Sequence, residues 1–375
     1  MPLPFTHSPD LTLGVELELQ LLDPQTRDLS PACGRVIERL GPDHPNVRPE
    51  LFQSMLEVST GVCRDVSQAR RELEENVTLV RGVCEEIGVR LASSGSHPFA
   101  RYSDRIVYPA ERYQNLIDRN RWVARRLMIF GMHVHIGARD GAHAMALING
   151  LMPYLPHVLA LSASSPFWQG QDTGLASSRI TIFEALPTAG HACVFDTWAD
   201  FEYAFDAMVA SHAIKSMKDI WWDIRPSPGY GTVEVRIADC PPTLSETMAI
   251  VALLHSLCAW IDEEYRQPTG RLRTQAYWAV RENKWRASRW GLDAEAVVDD
   301  RGQTVLLRDD LTSILSELAP HAERIGARDE LQNLTRPLRQ GGSYERQRGV
   351  YQREGSLVAV VDALIEEFMR DQVVA

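Results

Sequence analysis

The sequence predicts an α+β fold, in which one antiparallel sheet has helices packed on one face and a polar, concave surface on the other. Three observations support this prediction. Short stretches of strict apolar–polar alternation occur at residues 12–20, 131–137 and 232–238. Long helical segments separate them, and their polar faces carry acidic, imidazole and guanidinium groups. The strands of a doubly wound parallel sheet are buried on both faces and read instead as nearly continuous apolar runs.

The first of these strands has an acidic face. Glu16, Glu18 and Gln20 alternate with valine and leucine, so the three polar side chains share one side of the strand. Same-face neighbours in a strand lie about 6.6–6.8 Å apart, so two carboxylates can each hold one ion of a neighbouring metal pair. A half-solvated surface strand has the same alternation and is the commoner explanation for an isolated Glu-x-Glu.

The pattern recurs in the other two strands. His133 and His135 share one face of residues 131–137, and Glu234 and Arg236 share one face of residues 232–238. Three such strands in one antiparallel sheet would bring these groups onto a single surface. Their recurrence favours a metal or catalytic site over three solvated strands.

A further extended stretch at residues 49–60 contains two more carboxylates. Glu50 and Glu57 are seven positions apart, so an uninterrupted strand would place them on opposite faces. Both can reach one site only if the chain turns or bulges between them, for which Pro49 gives an irregular entry. Their spacing alone is equally consistent with two exposed carboxylates.

The helices are predicted to be scaffold. The clearest begins after the capping residue Asp65, has one apolar stripe, and ends at Gly88. No Gly/Ser-rich or Pro-rich linker interrupts the first 265 residues, so residues 1–375 are predicted to form a single domain with a mainly helical C-terminal region from about residue 266. The other predicted helices span about residues 109–129, 140–152, 197–214, 243–264 and 274–289.

Composition narrows the classes of partner. The 39 basic and 50 acidic residues give a formal net charge of −11, which repels nucleic acid and anionic membranes. The longest apolar stretch, residues 248–261, is too short for a membrane span and predicts a buried helix. Six scattered cysteines fit reduced thiols, and no secretory signal pattern is present, so we expect a cytoplasmic protein. Exposed apolar helices would allow a homodimer.

Two loops carry candidate anion contacts. Arg179 lies among small hydroxyl residues in the loop 170–181, and Arg225 precedes the Pro/Gly turn that leads into the Glu234 strand. Either guanidinium could grip a substrate carboxylate or phosphate in a bidentate manner. For any single arginine, a structural salt bridge is the more frequent role.

The donor set indicates phosphoryl chemistry. Several carboxylates with one or two imidazoles and no thiolate prefer Mg²⁺ or Mn²⁺ to zinc. The sequence has neither a P-loop nor a Gly-x-Gly-x-x-Gly motif, so nucleotide phosphates would be held by carboxylate-bound metal ions and arginine. Arg236, on the face of Glu234, would stabilise charge on a transferring phosphoryl group.

Several motifs in order resemble the glutamate–cysteine ligase family, specifically its bacterial carboxylate–amine ligase branch. The resemblance runs from Gly14 to about Asp239 and more loosely to the C-terminus. It implies a catalytic fold similar to glutamine synthetase, with Mg²⁺ and ATP on the concave face of the sheet. The motifs are Gly-Val-Glu-Leu-Glu from residue 14, Pro-Glu-Leu-Phe-Gln-Ser-Met-Leu-Glu-Val from residue 49, Ser-Gly-Ser-His-Pro-Phe from residue 94, Gly-Met-His-Val-His-Ile-Gly from residue 131, Ser-Ser-Arg from residue 177 and Val-Glu-Val-Arg from residue 233.

The resemblance also implies roles for individual residues. Arg236 and Glu57 are the implied catalytic residues, and Arg179, His135 and Arg225 are implied to contact substrate. The reaction would be ATP-dependent phosphorylation of a carboxylate, the γ-carboxylate of glutamate being the first candidate, followed by attack of cysteine or another amine to form an amide. The implied metal ligands are Glu16, Glu18, Glu50, Glu57, His133 and Glu234.

Two other classes of function compete with this interpretation. His133-Val-His135 is also the His-x-His pattern of zinc hydrolases, so a metal-dependent amidohydrolase completed by a glutamate is the chief alternative. A non-enzymatic acidic binding module is the third. Release of ADP that requires both a carboxylate and an amine separates the ligase from both.

Overall fold

The protein is built around an antiparallel sheet of seven strands. The computed structural model describes residues 3–373. The strand order in this sheet is β10-β11-β5-β1-β3-β2, and β4 pairs with the far end of β1. Its strands are β1 (Leu13–Leu22), β2 (Val47–Pro49), β3 (Met55–Ser59), β4 (Arg90–Ala92), β5 (Met132–Gly137), β10 (Ile224–Ser227) and β11 (Thr232–Val235).

Three two-stranded ribbons, fifteen α-helices and four single-turn 3₁₀ helices make up the rest of the regular structure in residues 3–373. The ribbons pair β6 (Phe167–Trp168) with β7 (Gln171–Asp172), β8 (Ala189–Gly190) with β9 (Trp221–Trp222), and β12 (Glu295–Val297) with β13 (Thr304–Leu306). The helices are α1 (Cys33–Leu40), α2 (Val66–Glu86), α3 (Glu111–Asn120), α4 (Trp122–Arg125), α5 (Gly141–Leu151), α6 (Leu155–Ser162), α7 (Ser178–Phe183), α8 (Trp198–Ala210), α9 (Leu244–Arg266), α10 (Tyr277–Trp290), α11 (Leu307–Arg324), α12 (Arg328–Gln332), α13 (Thr335–Gln340), α14 (Ser343–Glu354) and α15 (Leu357–Arg370).

The apolar face of the sheet forms the core, as the alternation predicts. Val15, Leu17 and Leu19 are fully buried, and α2 and α9 pack against the sheet. The core continues without interruption to Phe368 in α15, so the C-terminal helices share it. This arrangement confirms the predicted α+β fold, with helices on one face of the sheet and polar groups on the other.

The longest apolar stretch is a core helix, as predicted. Two helical segments, Gly141–Ser162 and Leu244–Arg266, are long and apolar enough to cross a membrane by length and composition. Their most apolar windows are 83% and 89% buried inside the protein. Packing against the sheet and the neighbouring helices accounts for this apolar surface.

A hairpin explains how Glu50 and Glu57 reach the same face. The stretch 49–60 is not one strand: β2 ends at Pro49, the chain reverses over residues 50–54, and β3 begins at Met55. Arg48 lies directly opposite Glu57 in the antiparallel register. Glu50 is two residues beyond Arg48 and therefore follows it on that face.

The predicted helix over residues 109–129 is wrong as a single element. Arg121 has a φ of 47°, which separates α3 from α4. A right-handed helix cannot continue through a residue in the left-handed region, because its next N–H no longer points along the axis. The other predicted helices are present, with ends that differ by a few residues.

Candidate active site

Cross-strand pairing assembles the predicted site residues on the polar face of the sheet. Directly opposed residues of an antiparallel pair point to the same face. Glu16 lies opposite His133, and Glu18 lies opposite Glu57. On the next strands, Glu234 lies opposite both His135 and Arg225. Five strands, β1, β3, β5, β10 and β11, therefore supply one continuous polar surface.

The tightest group on this surface joins three strands. Glu16, His133 and Glu234 each offer a ligand atom, and these atoms lie within 4.8 Å of one another. His133 Nδ1 is 3.1 Å from Glu16 Oε2. His135 is turned differently, with Nδ1 2.9 Å from Thr232 Oγ1 and Nε2 3.6 Å from Glu16 Oε1. His133 thus belongs to the group of candidate ligands, and His135 borders it.

Burial and hydrogen bonding fix the charges in this group. Burial alone would raise the pKa of Glu16, but hydrogen bonds from His133 and His135 hold that pKa below its ordinary value. Burial, reinforced by the nearby Arg236 charge, lowers the pKa of His133 to about 4. At neutral pH the group therefore presents ionised carboxylate and neutral imidazole, which are the forms that bind a metal ion.

The remaining predicted ligands form a buried acidic cluster. Burial and the charge of Glu18 raise the pKa of Glu50 to about 7. Burial and repulsion by Glu16, Glu50 and Glu18 raise the pKa of Glu57 well above its ordinary value. Burial also raises the pKa of Glu18, although its Oε2 accepts the Gly131 N–H at 2.5 Å. Arg112 Nη2 lies 3.6 Å from Glu50 Oε1, but burial and mutual repulsion outweigh this and the other nearby arginines.

Two arginines pair with Glu234 on β11. Arg225 donates to Glu234 through Nε at 2.8 Å and through Nη2 at 3.2 Å. It also donates to the backbone carbonyls of Met217 and Ile220. Arg236 pairs with the same carboxylate, and its buried Nε has no partner among residues 3–373. Arg225 therefore braces Glu234, whereas Arg236 retains donor capacity at the site.

Arg179 reaches the site from α7 across a glycine. A Cβ on Gly131 would lie 2.1 Å from Arg179 Nη2, so only glycine leaves room for the guanidinium at this point. Arg179 donates to the carbonyls of Ile237 and Arg236 at 3.3 Å. It is 2% exposed and its buried Nε is unpaired within the described chain. Its contact with a substrate carboxylate stays a prediction, as does that of Arg225.

A divalent cation fits this surface by the chemistry of its donors. One imidazole and several carboxylate oxygens converge, and no thiol takes part. The acidic cluster of Glu18, Glu50 and Glu57 carries repulsion that a bound cation would relieve. This donor set suits Mg²⁺ or Mn²⁺.

The structure also shows a charged cluster that the sequence analysis did not single out. Asp223 is fully buried and lies within hydrogen-bonding distance of His191 and Lys284. One signal was available, because Asp223 and Arg225 are two apart in an extended stretch and so share a face. His191 and Lys284 come from distant segments and gave none.

Fold, site and sequence together define a carbon–nitrogen ligase. The sequence model of the family described as glutamate-cysteine ligase family 2 matches residues 12–363, and the chain belongs to that family. It is an ATP-dependent carboxylate–amine ligase by class. This membership decides against the metal-dependent amidohydrolase and against a non-enzymatic binding module.

Relatives of this chain match over nearly their full length. A Bdellovibrio bacteriovorus protein provisionally named glutamate–cysteine ligase 2 is 46% identical over 370 residues, covering 99% of this chain and 98% of the relative. A Frankia alni protein provisionally named glutamate–cysteine ligase 2-1 is 44% identical over 377 residues, covering 98% and 97%. A Mycobacterium tuberculosis protein with the same provisional name as the first is 43% identical over 367 residues, covering 97% of each chain.

Solved structures of ligases share the fold. The glutamate–cysteine ligase of Francisella tularensis in complex with AMP superposes with a TM-score of 0.66 at 12% identity, covering 98% of this chain and 94% of that one. A bifunctional glutathione synthetase of Pasteurella multocida superposes with a TM-score of 0.67 at 15% identity, covering 96% and 52%. These similarities confirm the glutamine synthetase-like fold class.

Proposed function

We propose that this enzyme joins the γ-carboxylate of glutamate to the amine of cysteine or of another amine, using ATP and Mg²⁺ or Mn²⁺. The observation that carries the proposal is the convergence of five glutamates, two histidines and Arg236 on one face of the sheet. The provisional names of the relatives, glutamate–cysteine ligase 2, support the choice of glutamate and cysteine as first candidates. We infer the cytoplasm as the compartment.

The metal ions would be held in two places on this face. Glu16, His133 and Glu234 would hold one ion, and Glu18, Glu50 and Glu57 would complete the set of ligands around a second. The bound cations would neutralise the phosphate oxygens of ATP and polarise the phosphorus that is attacked. Glu57 belongs to the catalytic machinery through this role.

Arg236 would act on the transferring phosphoryl group. Its guanidinium is positioned by Glu234, and its free Nε–H can donate a hydrogen bond to a phosphoryl oxygen. Stabilisation of developing charge by such pre-positioned donors is commonly the largest single contribution to catalysis. Arg179 and Arg225, with His135, would orient the carboxylate substrate for attack on the γ-phosphorus.

No side chain needs to act as a nucleophile in this reaction. The substrate carboxylate attacks ATP to give an acyl phosphate and ADP, and the amine then displaces phosphate to give the amide. Three buried cysteines are consistent with this, because burial raises the pKa of Cys33, Cys84 and Cys240 to about 12. Such thiols are inert at neutral pH.

The proposal is tested by a substrate screen with ADP release as the readout. Glutamate and alternative carboxylates are combined with cysteine and a panel of amines in the presence of ATP and Mg²⁺, and the amide product is identified by its mass. We expect ADP release that requires both substrates. Substrate-independent hydrolysis of ATP, or ADP release with no amide, contradicts the proposal.

A matched pair of variants ties the activity to the site. Glu16→Gln removes one charge from the group that contains His133 and Glu234, and we expect activity to fall at least about 100-fold. Glu38→Gln makes the same chemical change at an exposed position of α1 and should leave activity unchanged. Equal activities of the two variants would exclude the acidic surface as the active site.

A further inference from the structure

A cleft opens between α7 and α10, next to β8. It has a volume of about 520 Å³. Both charged and aromatic side chains line it, so it can accept a polar molecule the size of an amino acid. The lining includes Thr181, His191, Tyr277, Arg281, Lys284 and Trp285.

The cleft borders the candidate active site through Asp223. The Arg236 N–H donates to the Asp223 carbonyl at 2.7 Å, which extends the pairing of β10 with β11 by one step. Neighbouring strands lie about 4.8 Å apart. His191 lines the cleft and pairs with Asp223. The backbone of Asp223 thus lies one strand away from that of Arg236, and the Asp223 side chain connects this edge of the sheet to the cleft through His191.

His191 has the arrangement of a proton acceptor. Its Nδ1 lies 3.2 Å from Asp223 Oδ2, and since an ionised carboxylate only accepts, Nδ1 carries the hydrogen. Nε2 is therefore left with its lone pair, and it has no hydrogen-bond partner within residues 3–373. The side chain is 4% exposed, and the ring packs against Tyr277 with centroids 5.4 Å apart.

Asp223 is itself held in place. Lys284 Nζ donates to Asp223 Oδ2 at 2.6 Å and also pairs with Glu184. The carboxylate is completely buried, and its pKa stays below the ordinary value despite that burial, because Lys284 and His191 lie beside it. An ionised, fixed carboxylate orients the histidine ring and stabilises the imidazolium that forms when it takes up a proton.

A second buried histidine–aspartate pair has a similar geometry but lies away from the cleft. His157 Nε2 lies 2.8 Å from Asp310 Oδ2, and its Nδ1 is likewise without a partner in the described chain. Asp310 is bound by Arg273, and neither member of the pair lines the cleft. The His157 pair is a structural contact and provides a matched control.

We propose that the cleft receives the amine substrate and that His191 Nε2 takes a proton from its ammonium group. The inference rests on the proposed function. The neutral amine then attacks the acyl carbon of the acyl phosphate, so that the C–N bond forms and the C–O bond to phosphate breaks. Phosphate leaves with the electron pair and takes up the second proton of the amine, and His191 later releases its own proton to solvent.

The wall of the cleft indicates the class of amine. Arg281 is exposed, stacks against the Tyr277 ring at 5.9 Å, and makes no ion pair within the described residues. Tyr277 and Trp285 expose 44% and 47% of their surface beside it. A free guanidinium next to aromatic rings suits an amine that also carries a carboxylate, as an α-amino acid does.

The two half-reactions separate this role from a structural one. Hydroxylamine is uncharged at neutral pH and traps acyl phosphates as hydroxamates without needing a base. We expect His191→Gln to retain carboxylate-dependent hydroxamate formation, while amide formation with the amino acid that serves best in the screen falls by about 100-fold or more. His157→Gln should retain both. Loss of both reactions in His191→Gln, or retention of both, overturns the proposal.

A pH profile gives an independent readout. The groups facing His191 are Asp223, Lys284, Tyr277, Glu184 and Arg281. Amide formation by His191→Gln should rise steadily with pH, because the amine must already be neutral, whereas the wild-type rate should level off. Identical profiles contradict the proposal. A wild-type enzyme that forms neither hydroxamate nor amide with any carboxylate refutes the ligase function itself, which is a different failure.

Discussion

His97 should make the stability of the protein strongly dependent on pH. Its side chain is fully buried, and both ring nitrogens are engaged. Nδ1 accepts the Ala100 N–H at 3.0 Å, and Nε2 lies 2.8 Å from the Arg27 carbonyl. The neutral ring with its hydrogen on Nε2 satisfies both contacts. Protonation of Nδ1 would break the first one, and burial, which is the largest cause, lowers the pKa of His97 to about 4.

The direction and size of the effect follow from this pKa. The ordinary value is 6.5, so between pH 6.5 and pH 4 the unfolded chain binds the proton more readily than the folded one. The stabilisation is fully present above about pH 6.5 and is lost as the pH falls towards 4. The gap between the two values corresponds to about 3.4 kcal/mol in full, of which about 2 kcal/mol is lost between pH 7 and pH 5.

Urea unfolding at pH 7 and pH 5 measures this contribution. The free energy of unfolding of the wild-type protein should fall between these pH values by about 2 kcal/mol more than that of His97→Gln. His7→Gln, at an exposed histidine, should behave like wild type. If His97→Gln lost as much stability between pH 7 and pH 5 as the wild type does, the neutral, locked ring would be the wrong description.

Three further predictions concern the site. Glu57→Gln removes a carboxylate that repels its neighbours, so the metal-free variant should melt at a higher temperature than the wild-type protein. The same variant should bind Mn²⁺ about 10–100-fold more weakly in calorimetry. A lower melting temperature would contradict the repulsion. Gly131→Ala places a Cβ against the buried Arg179 guanidinium. The variant should lose about 1–3 kcal/mol of unfolding free energy in urea and have a higher KM for the carboxylate. Unchanged stability and KM would show that the Arg179 side chain can move aside without cost. Arg236→Lys keeps the charge but loses the planar donor set, so kcat should fall about 100-fold with little change in the KM for ATP; a change confined to KM would place Arg236 in ground-state binding.

The alternation of single strands determined which side chains share a face. Glu16 and Glu18, His133 and His135, and Glu234 and Arg236 were all assigned to polar faces from a period of two, which follows from the pleat of any strand. Five helices (α2, α5, α8, α9 and α10) were also predicted from the sequence, whereas the predicted helix over residues 109–129 is interrupted at Arg121. The motifs in order also gave the family, which the match over residues 12–363 confirms.

Tertiary structure decided how the strands face one another. Spacing left Glu50 and Glu57 ambiguous, and only the reversal over residues 50–54 put them on the same surface. The contacts of Arg225 with Glu234 and two backbone carbonyls were likewise not readable from the sequence, and its predicted contact with substrate stays a prediction. These outcomes depend on hydrogen-bond register between segments far apart in sequence, which local periodicity does not encode.

The cleft between α7 and α10 shows most clearly the difference between what the sequence determines and what the tertiary structure determines. His191, Asp223 and Lys284 come from a loop, a strand edge and a helix, and only Asp223, two residues before Arg225, follows a sequence pattern that could have marked it. The sequence by itself fixed the composition of each face and each helix, because those depend on neighbours along the chain. The meeting of these three groups was decided by the packing of α10 against α6 and α7, because a contact between distant residues exists only once the chain is folded.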